Sequence, residues 1–388
     1  MKKTILLLAL LSILGQAQAQ SAKLKTENVI LVTIDGLRWQ EVFGGADSTV
    51  LRRKHRTFNL PTLPVHQLSP TTARRQALMP FLWTTVAAQG QIYGNRAYGN
   101  YLNVTNKARL SYPGYNEMLT GFAADNSIRS NACIYNPNTT VLEFINRQPA
   151  FRQQVLVYGS WNAFPFICNA PRSGLPVNAG WQPASGPSLS AHELALNELL
   201  QTPGAARGSE RPDSLTFDYA FEHLKRAHPK VLYLAFGDTD EQAHAGQYAP
   251  YVRAAHAADQ HLAQLWAYLQ SDPQYRDKTT LIITTDHGRG GNSWGQWTQH
   301  SRLLRGSDQT WLAVLGPDSP PTGEQQVPGQ LYQHQLAQTI ATLLGVAYTN
   351  DKPTSAPIEG IFGKPTLAAE TSDPAPATSL APHSQTMH

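Results

Sequence analysis

The sequence predicts an α/β fold, a doubly wound and mostly parallel sheet sandwiched by helices. Three observations lead there. Short apolar, β-branched runs alternate with helix-period segments along the chain. Three of those runs stop at an aspartate motif, as expected where a parallel sheet offers its carboxyl edge to a ligand. The length of 388 residues, 41% of them hydrophobic and 15% charged, suffices for one substantial core.

In chain order, Met1-Lys2-Lys3 and the apolar stretch 4–15 give a positive region and a hydrophobic segment too short to span a bilayer, and Ala17-Gln18-Ala19 fits a signal-peptidase site. Residues 1–19 are thus expected to be a signal peptide cleaved near Ala19, sending the protein to the periplasm or outside the cell. No cysteine follows to carry a lipid anchor, and no later segment is long and apolar enough to cross a membrane. Strands are predicted at 29–34, 91–97, 154–158, 231–236, 279–285 and 310–315, and helices at 74–88, 191–200, 214–226, 249–270 and 332–344. The 249–270 helix turns Val252, Ala255, Leu262, Leu265 and Leu269 inward. Gly and Pro clusters at 165–187 and 203–212 read as long loops able to form a small cap. Beyond Lys364 the chain is rich in Ala, Pro, Ser and Thr without periodicity, which predicts a flexible tail over 365–388 and a single domain over 20–364.

The chemistry-bearing residues sit mostly where these elements start or end. In Val-Thr-Ile-Asp-Gly the first strand stops at Asp35, and Gly36 permits a sharp turn. Ser111 precedes Pro113 and the helix-compatible stretch 115–119, so its hydroxyl is expected near a helix N-terminus, where partial positive charge favours an alkoxide. Asp240 and His244 follow the run 231–236, the pair Asp286-His287 ends the run 279–285, and His300 comes later. Zinc prefers imidazole nitrogen and carboxylate oxygen, and two such ions roughly 4 Å apart clamp the attacking and leaving oxygens of a phosphoryl displacement. Three aspartates and a serine alkoxide would balance two divalent cations, while three neutral histidines complete the ligand shells. The other histidines, such as His55, His66, His192, His223, His256 and His261, lie in no strand-end carboxylate motif and read as surface or packing residues.

This order of motifs, with Ser-Tyr-Pro-Gly-Tyr-x-x-Met-Leu-Thr-Gly around the nucleophile, resembles the alkaline phosphatase superfamily over about residues 28–345, and within it the nucleotide pyrophosphatase/phosphodiesterase branch. The resemblance implies an alkaline-phosphatase-like catalytic domain with Asp35, Ser111, Asp286 and His287 around one zinc, and Asp240, His244 and His300 around the other. Manganese is the alternative ion. That branch usually has threonine where Ser111 stands. The segment 127–138 resembles its second site motif, whose asparagine would be Asn131, an amide donor to a non-bridging phosphoryl oxygen.

The implied substrate is a small-molecule phosphate ester. Trp161 and Phe164, after the third strand, stand where related monoesterases have basic residues, which favours a diester or nucleotide-type substrate; Arg172 could swing in and reverse that preference. A phosphomonoesterase, a sulfatase and a phosphoglycerate-mutase-like enzyme are the alternatives within the superfamily. A sulfatase normally carries Arg two residues after the proline, where Tyr115 stands here. Outside enzymes, a secreted metal-binding module would share the ligands. A net charge of +4, half of it from Lys2 and Lys3, argues against a general nucleic-acid-binding surface. Cys133 and Cys168 are either bridged or separate thiols.

Overall fold

The structure is a computed structural model that describes residues 24–50, 71–201, 208–291 and 293–362; the expected signal peptide and tail lie outside the described residues. Eleven strands are described: β1 (Asn28–Ile34), β2 (Gln91–Tyr93), β3 (Asn100–Asn103), β4 (Val155–Gly159), β5 (Val177–Ala179), β6 (Val231–Phe236), β7 (Thr279–Thr284), β8 (Gln309–Thr310), β9 (Leu312–Leu315), β10 (Gly323–Glu324) and β11 (Gly329–Tyr332). Eight of them form one sheet in the order β10-β2-β9-β7-β1-β6-β4-β5, and β11-β3-β8 form a small second sheet. β1 is central and runs parallel to β6 and β7, with Thr33 beside Thr284 and Ile34 beside Phe236. Only β9 runs against its neighbours in the large sheet.

Every residue of β1, β6 and β7 is buried because helices cover both faces, which is why these strands read as unbroken apolar runs. Alternate side chains feed separate cores. Ile30, Val32 and Ile34 join one with Leu232, Leu234, Leu281 and the Tyr248–Ser271 helix; Val29 and Leu31 join the other with Tyr233, Ile282 and the helices Ser111–Thr120 and Gln335–Leu343. No helix among the described residues is long and apolar enough to cross a membrane.

Four local departures from the predicted elements have physical reasons. The predicted 74–88 helix breaks at Pro80, which has no N–H to give; the α-helix ends at Leu78, a π-turn runs over Leu82–Val86, and Asp259 accepts from the N–H groups of Phe81 and Leu82. β2 stops at Tyr93 because Gly94 (φ +106°) turns the chain against Trp311, leading into the unpredicted β3. The predicted 310–315 strand divides at Trp311, whose buried indole donates to the Leu37 carbonyl, so β8 joins the small sheet and β9 the large one. Tyr332 belongs to β11, and the last long helix starts at Gln335. The 165–187 stretch contributes the helix Ala170–Ser173 and β5, one edge strand of the large sheet. Both cysteines are free, Cys133 exposed and Cys168 buried, and burial pushes the Cys168 thiol up to about 12.

Candidate metal centre and nucleophile

The carboxyl edge of β1, β6 and β7 brings Asp35, Asp240 and Asp286 together, and Asp35 and Asp286 are each held by one oxygen. Tyr115 Oη donates to Asp35 Oδ2 at 2.8 Å, and Gly36 N–H donates to Asp286 Oδ1 at 3.1 Å. Their other oxygens, Asp35 Oδ1 and Asp286 Oδ2, are buried without a hydrogen-bond partner. Such orphaned acceptors are costly unless a cation or a proton sits among them. His287 Nδ1–H donates to the Gly288 carbonyl at 2.9 Å, which directs Nε2 at the same point. Nε2 lies 3.3 Å from Asp35 Oδ1, 3.3 Å from Asp286 Oδ2 and 3.2 Å from Ser111 Oγ. A tetrahedral ion with ligands at 2.0–2.1 Å has ligand–ligand edges of about 3.3 Å. The donor set therefore fits a divalent cation in its chemistry, and the three separations that meet at Nε2 match the edges of such a site.

A second group adjoins it. His244 Nε2 is 3.1 Å from Asp240 Oδ2 and 3.1 Å from His300 Nε2, two imidazole nitrogens facing each other. His300 Nδ1–H donates to the Arg109 carbonyl at 2.9 Å, so its Nε2 lone pair is the one turned inward. The ring of His300 stacks on His287 at 3.7 Å. Asp240, His244 and His300 form one cluster able to hold a metal, and Asp35, Asp240 and His287 an overlapping one.

Ser111 opens the Ser111–Thr120 helix, so the free N–H groups and the dipole of that terminus face its hydroxyl. The approach is made possible by Gly114, where a Cβ would lie 2.3 Å from the Asp286 carbonyl oxygen. Buried Glu117 accepts from the N–H groups of Thr105 and Asn106 and fixes the loop before Ser111. Asn131 Oδ1 accepts from Tyr112 N–H at 3.0 Å; this anchors an exposed asparagine one residue from Ser111 and leaves its amide donors uncommitted.

The electrostatics of the two clusters differ. Burial, together with Asp35, lifts Asp286 well above the usual carboxylate range. Asp240 is equally buried, yet the guanidinium of Arg289 and the neighbouring histidines hold it well below that range. Against the penalty of burial, Asp286, Asp35 and Asp240 raise His287 to about 9. Burial and the adjacent His287 lower His300 to about 2.

Of the predicted substrate contacts, Phe164 is a correction. It is 1% exposed and its ring lies over Gly159, packed edge-on against Tyr115 and Tyr233 in the core. Arg172 is also committed elsewhere: it donates to both oxygens of Glu143 and to the carbonyls of Asn136, Pro137 and Asn138. Trp161 is half-buried at the carboxyl end of β4, bridged to Glu210. Three contributors escaped sequence reasoning. Tyr115 orients Asp35, and Arg289 is fully buried on Asp240. Glu210 has a carboxyl that burial and the charges of Asp35 and Asp240 push well above its usual range. Arg289 had one signal, a charge directly after Asp286-His287-Gly288 at the end of a buried strand.

Residues 197–346 match the Sulfatase family model, a span that holds Asp240, His244, Asp286, His287 and His300 but neither Asp35 nor Ser111. No curated protein matches the chain. Among solved structures it is similar to the lipoteichoic acid synthase LtaP from Listeria monocytogenes (TM-score 0.54, 11% identity, 85% of this chain and 74% of that one). It is also similar to a 2-O GAG sulfatase (TM-score 0.53, 14% identity, 88% and 75%). A mutant of the alkaline phosphatase PafA gives TM-score 0.53 and 10% identity over 88% of this chain and 99% of that one. The fold is that of the alkaline phosphatase superfamily.

Proposed function

We propose that this protein is a metal-dependent hydrolase of phosphate esters, phosphodiesters foremost, with Ser111 as nucleophile. The fold and the Sulfatase match support a hydrolase of sulfate or phosphate esters. The observation that carries the finer reading is the meeting of Ser111 Oγ with Asp35 Oδ1 and Asp286 Oδ2 around His287 Nε2 at the edge lengths of a tetrahedral site. Asp35, Asp286, His287 and Ser111 would hold one divalent ion, and Asp240, His244 and His300 the other; zinc suits the ligands, and manganese is the alternative. When bound, these ions supply Lewis-acid polarisation and neutralise charge on the phosphoryl oxygens.

The chain's own groups do the rest. Ser111 Oγ, stabilised as an alkoxide by the helix N-terminus, attacks phosphorus in line; an Oγ–P bond forms and the ester P–O bond opposite it breaks. Asn131 donates its amide hydrogens to an equatorial oxygen while charge builds there. Water then attacks the phosphoserine from the vacated side, freeing Ser111 and a phosphomonoester or phosphate. Tyr115 and the Gly36 N–H keep Asp35 and Asp286 in register throughout.

Support for diesters comes from what flanks the site. Ser160, Trp161 and Asn162, after β4, contribute no cation to a second phosphate charge, and Arg172 is occupied by Glu143. Beside Asn131, Ile134 and Tyr135 are about half exposed, with Tyr135 tilted on Phe166 at 4.8 Å, an apolar wall suited to an organic ester group. A sulfate-ester reading is favoured by the matched family model. Against it, Tyr115 occupies the position of the sulfatase arginine and its hydroxyl is spent on Asp35. The N-terminal segment supports an exported enzyme.

The test compares bis(4-nitrophenyl) phosphate, 4-nitrophenyl phosphate and 4-nitrophenyl sulfate on zinc-reconstituted protein, with the Ser111 peptide weighed by mass spectrometry. The diester should lead the monoester by about ten-fold in kcat/KM, with no sulfate turnover. Ser111→Ala should keep its metal and lose turnover. A near-native Ser111→Ala rate removes the nucleophile assignment, and formylglycine at position 111 with sulfate turnover moves the protein to sulfatases.

A further inference from the structure

Arg289 is fully buried and every nitrogen of its guanidinium is engaged. Nη1 pairs with Asp240 Oδ1, Nε donates to the Trp297 carbonyl at 2.9 Å, and Nη2 donates to the Thr298 carbonyl at 2.6 Å. Those contacts tie the Asp286–Gly290 loop and the closely following turn Ser293–Thr298, which ends two residues before His300, to the Asp238–His244 helix, distant in sequence. The loop is itself pinned. Arg38, paired with buried Glu41, donates to the Gly290 carbonyl at 3.0 Å, and Gly290 N–H donates to Gln299 at 3.0 Å. Gly36 adds a steric limit, since a Cβ there would lie 2.6 Å from Asp240 Oδ1 and 2.7 Å from Arg289 Nη1.

We infer that Arg289 is the positioning residue of the Asp240–His244–His300 site: it occupies one carboxylate oxygen of Asp240, leaves the other to a cation, and sets the turn that delivers His300. This rests on the two-metal reading above. The planar fork suits the task, because one carboxylate and two carbonyls are met by three donors in fixed directions, which an ammonium cannot reproduce. The fixed positive charge also offsets Asp240 before any cation arrives. Two opposing consequences follow from removing Arg289. Loss of a like charge would strengthen cation binding at Asp240, whereas loss of the fork would release His300 and let Asp240 turn. The second dominates, because a metal site needs all three donors at once, and groups that orient ligands typically govern 10–100-fold in affinity.

The experiment is calorimetry with zinc chloride, in the presence of a competing chelator, on the metal-stripped full-length chain and on Arg289→Gln, Arg289→Lys, His300→Ala and the Arg289→Gln/His300→Ala double variant. The parent should bind two equivalents; a parent that binds none defeats the two-metal reading itself, apart from Arg289. Given two equivalents, Arg289→Gln should weaken one by about 10–100-fold and leave the other within about three-fold. Arg289→Lys, which keeps charge, should fail to restore it. In the His300→Ala background Arg289→Gln should add little, since both act on the same ligand. Two full-affinity equivalents in Arg289→Gln overturn the inference, as does rescue by lysine or equal loss at both sites with native circular dichroism. Should Arg289→Gln fail to fold, Arg289→Lys decides by the same criterion: one weakened equivalent supports the role, and two unchanged ones overturn it.

Discussion

Gly36→Ala probes how tightly the two clusters close over the end of β1. Gly36 has φ +60° and directly follows Asp35, and a Cβ added there would fall 2.6 Å from Asp240 Oδ1, 2.7 Å from Arg289 Nη1 and 3.4 Å from His287 Cε1. Two costs arise. Alanine in the left-handed region loses about 1 kcal/mol relative to glycine. Relieving two contacts shorter than any real Cβ tolerates costs about 1–3 kcal/mol more, as for overpacking in a full core. The sum, about 2–4 kcal/mol of unfolding free energy, would be a large share of a typical domain's stability. Yet the atoms struck are side-chain ends, so the cheapest relief is rotation of Asp240 away from Arg289. That relief spares the fold and spoils the ligand. A ligand or catalytic group displaced by about 1 Å costs on the order of 100-fold in rate. Urea unfolding should therefore show a lowered midpoint, and kcat on bis(4-nitrophenyl) phosphate, measured well below the unfolding transition with zinc in excess, should fall by about two orders of magnitude. A variant that unfolds like the parent and turns over at the parent rate would refute the close approach of Asp240 and Arg289 to this turn.

Other perturbations separate the remaining parts. Asn131→Ala should lower kcat by about 10²–10³-fold with metal content unchanged, the loss typical of one oxyanion donor, which steady-state kinetics with metal analysis will read. Tyr115→Phe leaves Asp35 Oδ2 without its donor and should weaken zinc binding by about 10–100-fold in calorimetry. In the metal-free protein His287 is raised from 6.5 to about 9, so its stabilising contribution is complete below pH 6.5 and fades as pH climbs through 9. Denaturant titrations across that window should show a loss on the order of 3 kcal/mol that His287→Asn lacks, since the shift is that of a fully buried imidazole.

The residues of the two clusters were legible because topology writes them into local sequence. A parallel strand covered on both faces must be apolar throughout, so a carboxylate soon after such a run lies at the sheet's edge; Asp35 and Asp286 are the first after β1 and β7, and Asp240 is the second after β6, two residues beyond Asp238. Phe164 was misread for a related reason. An aromatic residue soon after a strand end looks like a pocket wall, but the short turn from Ala163 swings its ring back over Gly159, a glycine whose missing side chain makes the space. Arg172 looked free because three of its captors are carbonyls at 136–138, which leave no trace in composition, and the other, Glu143, is 29 residues away. Arg289 escaped for the same cause: two of its three partners are main-chain oxygens, and the third is 49 residues away.

The register of the sheet also explains why one cluster takes a proton and its neighbour does not. Asp35 and Asp286 leave adjacent parallel strands, so their carboxylates are forced side by side without a fixed cation, and His287, which follows Asp286, answers with a raised affinity for a proton. Asp240 follows the strand on the other side of β1 and meets Arg289, so its charge is already balanced, and burial keeps the neighbouring His300 from ionising. The stacked rings reinforce the difference, because a protonated His287 at 3.7 Å repels a second imidazolium. With metals bound as proposed, one cradle would therefore exchange a proton for a cation, while in the other Asp240 is already paired with Arg289. This inequality follows from which strand each aspartate ends and from the single buried arginine between them.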